Sequence, residues 1–467
     1  MGSNLVRFFV LRGRYVILVI MKIIADFHIH SKYSRAVSRD MTLEILDVWA
    51  KKKGINVMGT GDFTHPQWFN EIKTKLEPAE PGLYRLKSEI RNPSFDSRSG
   101  RPELVERAKS ETNSKFEIQN SKFETRFILT VEISSIYSKG GKVRRIHNLI
   151  FCPSIQTAEK INTTLSLIGN LKSDGRPILG LDSKKLLQII LGIDSRCVLI
   201  PAHAWTPWFS IFGSMSGFDS IEECFEEMSS HIFAIETGIS SDPAMNWRFS
   251  KLDKIALISN SDSHSPQKIG REANVFDCEL SYDGLIDAIK SRDPKKFLFT
   301  IEFFPEEGRY HYDGHRLCGV SLAPEETKKY SGICPKCKKP MTIGVMNRVD
   351  KLADRKVGEG GERKIPFHNS IPLNEIIADV FGVGVSSKAV QKEYEKLIQI
   401  IGNEFKVLME ADYETLSRVS SPSIADGVIA AREGRVELIP GYDGEYGKIK
   451  IAKRAKSESQ SRQNRLF

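Results

Sequence analysis

Ile23-Ile24-Ala25-Asp26-Phe27-His28-Ile29-His30 is the stretch on which the reading of this 467-residue chain turns. A short apolar run leads to Asp26, and strict alternation then carries His28 and His30. In an extended backbone successive side chains point to opposite faces. A His-x-His pair therefore presents both imidazoles on one side, within reach of one metal ion. A strand that ends in two such groups predicts a sheet whose strand ends gather around a site.

The rest of the chain repeats that arrangement. Further short apolar runs read as buried strands: Ile55–Thr60, Phe127–Ile133, Ile146–Phe151, Val198–Ala202, Ile232–Glu236 and Ile255–Ser259. Amphipathic stretches lie between several of them. In Thr42–Lys53 the residues Leu43, Leu46 and Trp49/Ala50 recur at helical spacing, Thr42 offers a cap and Gly54 a stop. This alternation predicts a parallel α/β fold, open or closed.

The ends of the runs carry the chemistry. Asp62 and His65 follow the second strand, Glu132 ends the third, His147 lies in the fourth, His203 follows Pro201-Ala202, and Asp262 and His264 follow Ser259. A lone histidine at a strand end is more often structural than ligating. Here six of the ten histidines in the chain sit at or beside predicted strands, with carboxylates among them, and in α/β barrels those ends converge on one mouth. Imidazole with carboxylate suits zinc, manganese or iron, with magnesium also admissible, and the set is too large for one ion. Two or three divalent metals are expected, able to lower the pKa of a water and to neutralise phosphoryl oxygens. No Ser-His-Asp elbow, Walker loop or Gly-rich dinucleotide turn competes.

The composition, 40% apolar and 27% charged, is that of a globular protein, long enough for two or three domains. Lys and Arg number 68 against 59 Asp and Glu, a formal +9 that fits either a basic surface or a polyanionic partner. Residues 1–20 are apolar but interrupted by Arg7, Arg12 and Arg14, leaving no uninterrupted span and no signal cleavage site, so no membrane association is expected. The organisation reads as an N-terminal extension (1–21), a metal-dependent domain (22–304), a zinc-binding module (305–358), a helical domain (359–447) and a basic tail (448–467). The polar stretch Asn70–Thr125 reads as a partly helical insertion between two strands.

Of seven cysteines, Cys152, Cys197, Cys224 and Cys278 are scattered among apolar neighbours and read as core thiols. His315-x2-Cys318 and Cys334-x2-Cys337, fifteen residues apart, have the paired spacing of a structural zinc site, with His311 in reserve for His315. Lys336, Lys338, Lys339 and Arg348 surround it, so the module is either a DNA contact or a fold staple.

The order His28-x-His30, Asp62/His65, Glu132, His147, His203, Asp262-x-His264 resembles the PHP (polymerase and histidinol phosphatase) superfamily over residues 22–301. The resemblance implies a distorted (β/α)7 barrel and a trinuclear centre. It places His28, His30, Glu132 and Asp262 on one metal, Glu132, His147 and His203 on a second, and His65 and His264 on a third. Asp62 is a ligand or orients one. Asp262, Glu132 and His264 are the residues expected to act in the chemistry. Two departures stand out: Ser34-Arg35 occupies the place of a further histidine, and the usual adjacent Asp-His is spread to Asp62-Phe-Thr-His65.

With the ribbon, Met341-Thr-Ile-Gly-Val-Met-Asn-Arg-Val349, Ala202-His-Ala-Trp-Thr-Pro-Trp208 and Ile235-Glu-Thr-Gly238, the chain is similar to the endonuclease Q family over about residues 22–440. That similarity implies a cytoplasmic DNA repair endonuclease cutting 5′ of hypoxanthine, uracil, xanthine or an abasic site. Such an enzyme needs aromatics beside the metals to receive an unstacked base. Trp205, Trp208 and Phe209 follow His203 and are the candidates, or else pack the mouth. Arg144, Arg145, Lys172, Arg176 and Arg271 are candidates for the DNA backbone, or else solvated. Gln460 to Phe467 loosely resembles a sliding-clamp box. A phosphatase of small phosphomonoesters and a non-catalytic DNA-binding adaptor are the alternatives.

Overall fold

Apolar alternation becomes a sheet here, but a mixed one. The computed structural model describes residues 6–11, 14–19, 22–91, 124–361 and 364–451, with side chains from residue 22 onward. The clamp-like tail and most of the Asn70–Thr125 insertion lie outside the described residues. Two units are separable, one within residues 1–370 and 439–448, the other within 371–438 and 449–467.

The first unit is built on strands β1 (Ile23–Asp26), β2 (Val57–Gly59), β3 (Arg126–Lys139), β4 (Lys142–Cys152), β5 (Val198–Pro201), β6 (Ala234–Glu236), β7 (Ala256–Ile258), β8 (Ala273–Phe276) and β9 (Phe297–Glu302). Strands β10 (Asp313–His315), β11 (Val320–Leu322) and β12 (Phe367–Asn369) follow. The main path of the large sheet is β5-β4-β3-β2-β1-β8-β9-β12, and β6 pairs with β7 separately.

The order β1-β2-β3 is parallel, as expected. The expectation of a wholly parallel sheet is not met. Strands β3 and β4 form one long antiparallel hairpin, β5 is antiparallel to β4, and β8 is antiparallel to both β1 and β9. The cause is local. Gly140 and Gly141, at φ 60° and 71°, make a two-residue turn whose twist suits a hairpin, whereas a parallel connection needs a crossover of a dozen residues or more.

The apolar faces meet beneath the strand ends, where Ala25, Phe27, Ile128, Phe151, Ile200, Ile258, Phe276 and Phe297 form one buried cluster. Phe27 stands edge-on to Phe151 at 5.3 Å. The helix Leu43–Lys53 closes over the sheet as its pattern predicts. Thr42 accepts from Ile45 N, Gly54 ends the helix at φ 93°, and Leu43, Leu46 and Ala50 are buried.

The second unit is helical, with helices Leu373–Phe381, Lys388–Ile401, Tyr413–Val419 and Pro422–Arg432. Buried Glu404 accepts from Leu373 N and Tyr394 Oη, at 3.0 and 2.7 Å, tying its first two helices together. Among the described residues no helix is long and apolar enough to cross a membrane.

Strand β9 ends in a fully buried carboxyl, Glu302, which accepts from Thr300 Oγ1 (2.5 Å) and Thr237 Oγ1 (3.0 Å). Burial outweighs these hydroxyls and pushes its pKa up to about 8 from the usual 4.5. The folded state thus keeps a proton that the unfolded chain has released. This contribution to stability is present below pH 4.5 and is lost as pH rises to about 8. The slope is at most about 1.4 kcal/mol per pH unit. Thermal melts between about pH 5 and 9 should fall less steeply for Glu302→Gln than for the parent. Parallel curves would show that this carboxyl ionises freely.

Candidate metal centre

The centre is best built outward from Glu132, a carboxylate with no exposure worth counting, fixed in the middle of the β3–β4 hairpin. Its two oxygens face different partners. Oε1 lies 2.6 Å from His147 Nδ1 and 3.0 Å from His203 Nε2. Oε2 lies 3.3 Å from His30 Nε2, 3.7 Å from His28 Nε2 and 3.2 Å from Arg176 Nη1. His147 reaches Oε1 from the neighbouring strand, two residues before Leu149, which pairs with Glu132. On the other side Asp262 Oδ1 stands 3.1 Å from His30 Nε2 and 3.7 Å from His28 Nε2. Three overlapping groups result: His28/His30/Glu132, Glu132/His147/His203 and His30/Asp262/His264.

Behind these groups a second set of carboxylates holds the rings. His28 Nδ1 contacts both oxygens of Glu236, at 3.0 and 3.1 Å, and Glu236 also accepts from His203 N and Asn260 Nδ2. His30 Nδ1 contacts Asp62 Oδ1 at 3.0 Å, while Ser31 N, Ser31 Oγ and Ser34 Oγ all donate to Asp62 Oδ2. His264 Nδ1 donates to the Asp262 carbonyl at 2.8 Å. A proton fixed on Nδ1 leaves Nε2 unprotonated and facing inward, the form in which imidazole ligates.

One atom tests whether metal ions fit. His28 Nε2 is buried and has no hydrogen-bond partner, yet it faces two carboxylate oxygens. Ligands held at about 2.0–2.1 Å on a tetrahedral ion lie roughly 3.3–3.4 Å apart, close to the separations seen here. The electrostatics agree. Burial opposes charge on Glu132 and Asp262, but the surrounding histidines, with Arg176 at Glu132, hold both well below the usual carboxylate range. Burial likewise opposes charge on His28, and Glu236 and Glu132 override it to raise its pKa well above normal. Such a site demands positive charge at its centre, which divalent ions would supply. Burial, reinforced by His203 and Arg176, drives His147 down to about 4 despite Glu132, keeping it neutral. Asp62, His203 and Asp262 all take positive φ, at 49°, 29° and 45°, so the backbone is strained where these side chains are aimed.

The sequence candidates divide accordingly. His28, His30, Glu132, His147, His203, Asp262 and His264 converge. Asp62 backs His30, with Ser34 helping to hold it where a histidine was expected. His65 joins none of the three groups: it stacks on Tyr33 at 4.5 Å and begins the helix Pro66–Lys75. Trp205, a candidate for substrate contact, points into the protein interior. It is buried, donates to Asn246 Oδ1 at 2.7 Å and packs on Phe212. Trp208 and Phe209 are partly exposed, and the Phe209 ring lies 4.7 Å from His147. Glu236 is a further residue of the site: it ends an apolar run just as Glu132 does, and only the fold sets it against His28.

The ribbon site also assembles. His315, Cys318, Cys334 and Cys337 form one group, on the β10–β11 hairpin and the turn Cys334–Lys338. Burial pushes the Cys334 thiol up, but backbone N–H groups of Cys337 and Lys336 bring it down to about 7, toward the thiolate that zinc binds. His311 is not a member: it is buried and stacked on Tyr312. Arg348 is not a DNA-facing cation either. It is buried and donates to the carbonyls of Phe212 (2.7 Å) and Phe218 (2.9 Å) and to Asp219.

Comparison with known proteins follows the same lines. Residues 372–435 match the family model described as the MJ0043 C-terminal domain. The uncharacterized protein MJ0043 of Methanocaldococcus jannaschii is 35% identical over 254 residues, which are 53% of this chain but only 31% of that protein. The uncharacterized protein YqxK of Bacillus subtilis is 30% identical over 92% of this chain and 99% of its own length. The lesion-specific endonuclease PfuEndoQ from Pyrococcus furiosus superimposes with a TM-score of 0.77 at 28% identity, covering 94% of this chain and 98% of that one. Endonuclease Q bound to a 27-mer duplex with an abasic lesion at its active site gives 0.77 at 29% identity, covering 94% and 100%. The chain belongs to the endonuclease Q family.

The mixed α/β fold is similar to that of endonuclease Q, and on it this chain assembles its histidine–carboxylate groups and its Cys/His group. Replacing Glu236 by Gln should weaken divalent-metal binding about 10–100-fold, because the hydrogen-bonded partner of a ligating imidazole sets its orientation and basicity. Calorimetric titration of the metal-stripped protein with Zn²⁺ or Mn²⁺ checks this. Unchanged affinity would mean that the Glu236–His28 contact is only structural.

Proposed function

We propose that this protein is a metal-dependent DNA repair endonuclease that cuts the phosphodiester on the 5′ side of deaminated bases and abasic sites. One observation carries the reading: Glu132 presents one oxygen to His147 and His203 and the other to His28 and His30. A carboxylate shared in this way is what a site for neighbouring metal ions requires. The family membership supplies the substrate class, since its solved members include a lesion-specific endonuclease and a complex with abasic duplex DNA.

His28, His30, Glu132 and Asp262 would hold one ion, Glu132, His147 and His203 a second, and His264 beside Asp262 and His30 a third, of zinc, manganese or iron. Bound there, divalent ions supply Lewis acidity, lowering the pKa of a water and neutralising developing phosphoryl charge. The reaction adds the oxygen of water to phosphorus and breaks the bond to the 3′-oxygen of the preceding nucleotide. A proton passes to that oxygen, giving a 3′-hydroxyl and a 5′-phosphate. Asp262, Glu132 and His264 are the residues we assign to this chemistry.

Trp208 and Phe209 are the aromatics we assign to an unstacked nucleotide, whose extrusion costs a few kcal/mol and least at a lesion. The (β/α)7 barrel description, the ribbon at 305–358 and the helical part at 359–447 as DNA-engaging modules, and a cytoplasmic location belong to the same reading.

Incubation with Mn²⁺ or Zn²⁺ and end-labelled duplexes containing deoxyinosine, deoxyuridine or an abasic site should give one cut 5′ of each lesion. Hydrolysis of soluble phosphomonoesters without DNA cleavage would instead favour a phosphatase. Asp262→Ala should abolish cleavage while duplex binding survives, as read by gel shift beside the cleavage assay. Normal cutting by that variant would remove Asp262 from the centre. Cys334→Ser should destabilise the ribbon and weaken DNA binding while leaving the metal content of the histidine–carboxylate centre intact.

A further inference from the structure

Arg176 reaches the metal centre on a loop that is held very rigidly. Gly175 N donates to the Tyr33 carbonyl (3.1 Å), Arg176 N to Asp174 Oδ1 (3.1 Å), and Ser134 N to the Pro177 carbonyl (3.0 Å). Asp174 Oδ1 also accepts from Arg35 N, at 3.3 Å. A β-carbon on Gly175 would lie 2.3 Å from both Asp62 Oδ2 and Ser34 Oγ, so only glycine lets the loop press this closely behind His30. The guanidinium that this loop carries is largely buried, its side chain 26% exposed, and it stands 3.2 Å from Glu132 Oε2.

A guanidinium has five N–H donors in a rigid fork. Among the described residues this side chain makes one hydrogen bond, to Glu132. With divalent ions held at Glu132 and Asp262, those carboxylates would no longer neutralise Arg176, and a largely buried cation would be left beside other cations. It then needs an anion, placed next to the ions and open to solvent on one side. A phosphodiester oxygen pair meets that need and matches the fork. Three of the other basic candidates are engaged elsewhere: Arg271 on the Ser261 carbonyl, Arg144 on Gly217 and the Phe218 ring, and Arg145 over Phe209.

We infer that Arg176 is a catalytic residue that grips the non-bridging oxygens of the phosphate undergoing hydrolysis. The grip tightens as charge accumulates on those oxygens in the transition state, so it acts on rate more than on binding of the duplex. This assignment rests on the proposed phosphoesterase reading but can fail independently of it.

The test uses the metal-loaded full chain, its Arg176→Ala and Arg176→Lys variants, and inorganic phosphate as a probe. Arg176→Ala should keep its metal content by elemental analysis, bind phosphate at least ~10-fold more weakly by calorimetry, and cleave lesion DNA about 10²–10³-fold more slowly in single turnover. Methylguanidinium should restore part of that rate, and Arg176→Lys should lie between alanine and parent, since it keeps the charge but loses the fork. Parental phosphate affinity and a rate within about twofold would overturn the assignment. So would loss of metal together with phosphate binding, which would reduce Arg176 to a support for Glu132. If the parent cleaves no lesion DNA, the endonuclease reading falls, while the phosphate titrations still decide whether Arg176 holds the anion.

Discussion

The structure depends on the burial of one carboxylate, Glu132, between two pairs of imidazoles. An ionised carboxylate out of water is costly unless positive charge or hydrogen bonds meet it on every side. Here every side is met, by His147 and His203 at one oxygen and by His28, His30 and Arg176 at the other. To bring them there, the chain closes β3 against β4 in a hairpin, strains the backbone at His203 and Asp262, and backs the rings with Glu236 and Asp62. Each of these is costly alone and is offset by the others. That interdependence makes a compact cation site a more economical account than unrelated structural histidines.

What could be read in the sequence follows from what is local. His28-x-His30 is legible because strand periodicity alone places both rings on one face. The helix Leu43–Lys53 is legible because its cap, stripe and stop lie within a dozen residues. Strand direction is not local in that sense. Reading Phe127–Ile133 and Ile146–Phe151 as separate runs hid the Gly140-Gly141 turn that joins them, and with it the antiparallel half of the sheet. The aromatics after His203 show another limit. Trp205 and Trp208 are three residues apart, and nothing in the sequence says which faces inward. Asn246, 41 residues on, decides it by accepting the Trp205 indole N–H. Glu236 shows the converse. Its position at the end of an apolar run was visible, but only the fold puts it against His28.

The ribbon takes on a different meaning once Arg348 is placed. From sequence it counts as one more cation around a zinc knuckle. In the fold it hangs from the helix Val345–Leu352, whose N-terminus is fixed by Asp313 on the same hairpin that carries His315: Asp313 accepts from Gly344 N at 2.7 Å and from Asn347 Nδ2 at 2.6 Å. Its guanidinium pins the carbonyls of Phe212 and Phe218, while Ser214 Oγ donates to the Ile343 carbonyl at 3.0 Å. Those contacts close the loop that begins at His203 and carries Trp208 and Phe209. The Phe209 carbonyl in turn accepts from His147 N at 3.1 Å, and Trp208 lies edge-on to Tyr310 at 5.6 Å. Hydrogen bonds thus link the ribbon hairpin, by way of this helix and the mouth loop, to the backbone of His147. A module that does this cannot be sorted as either DNA contact or staple. By holding the mouth loop it fixes where Trp208 and Phe209 stand relative to the histidine–carboxylate groups, whatever its own side chains touch.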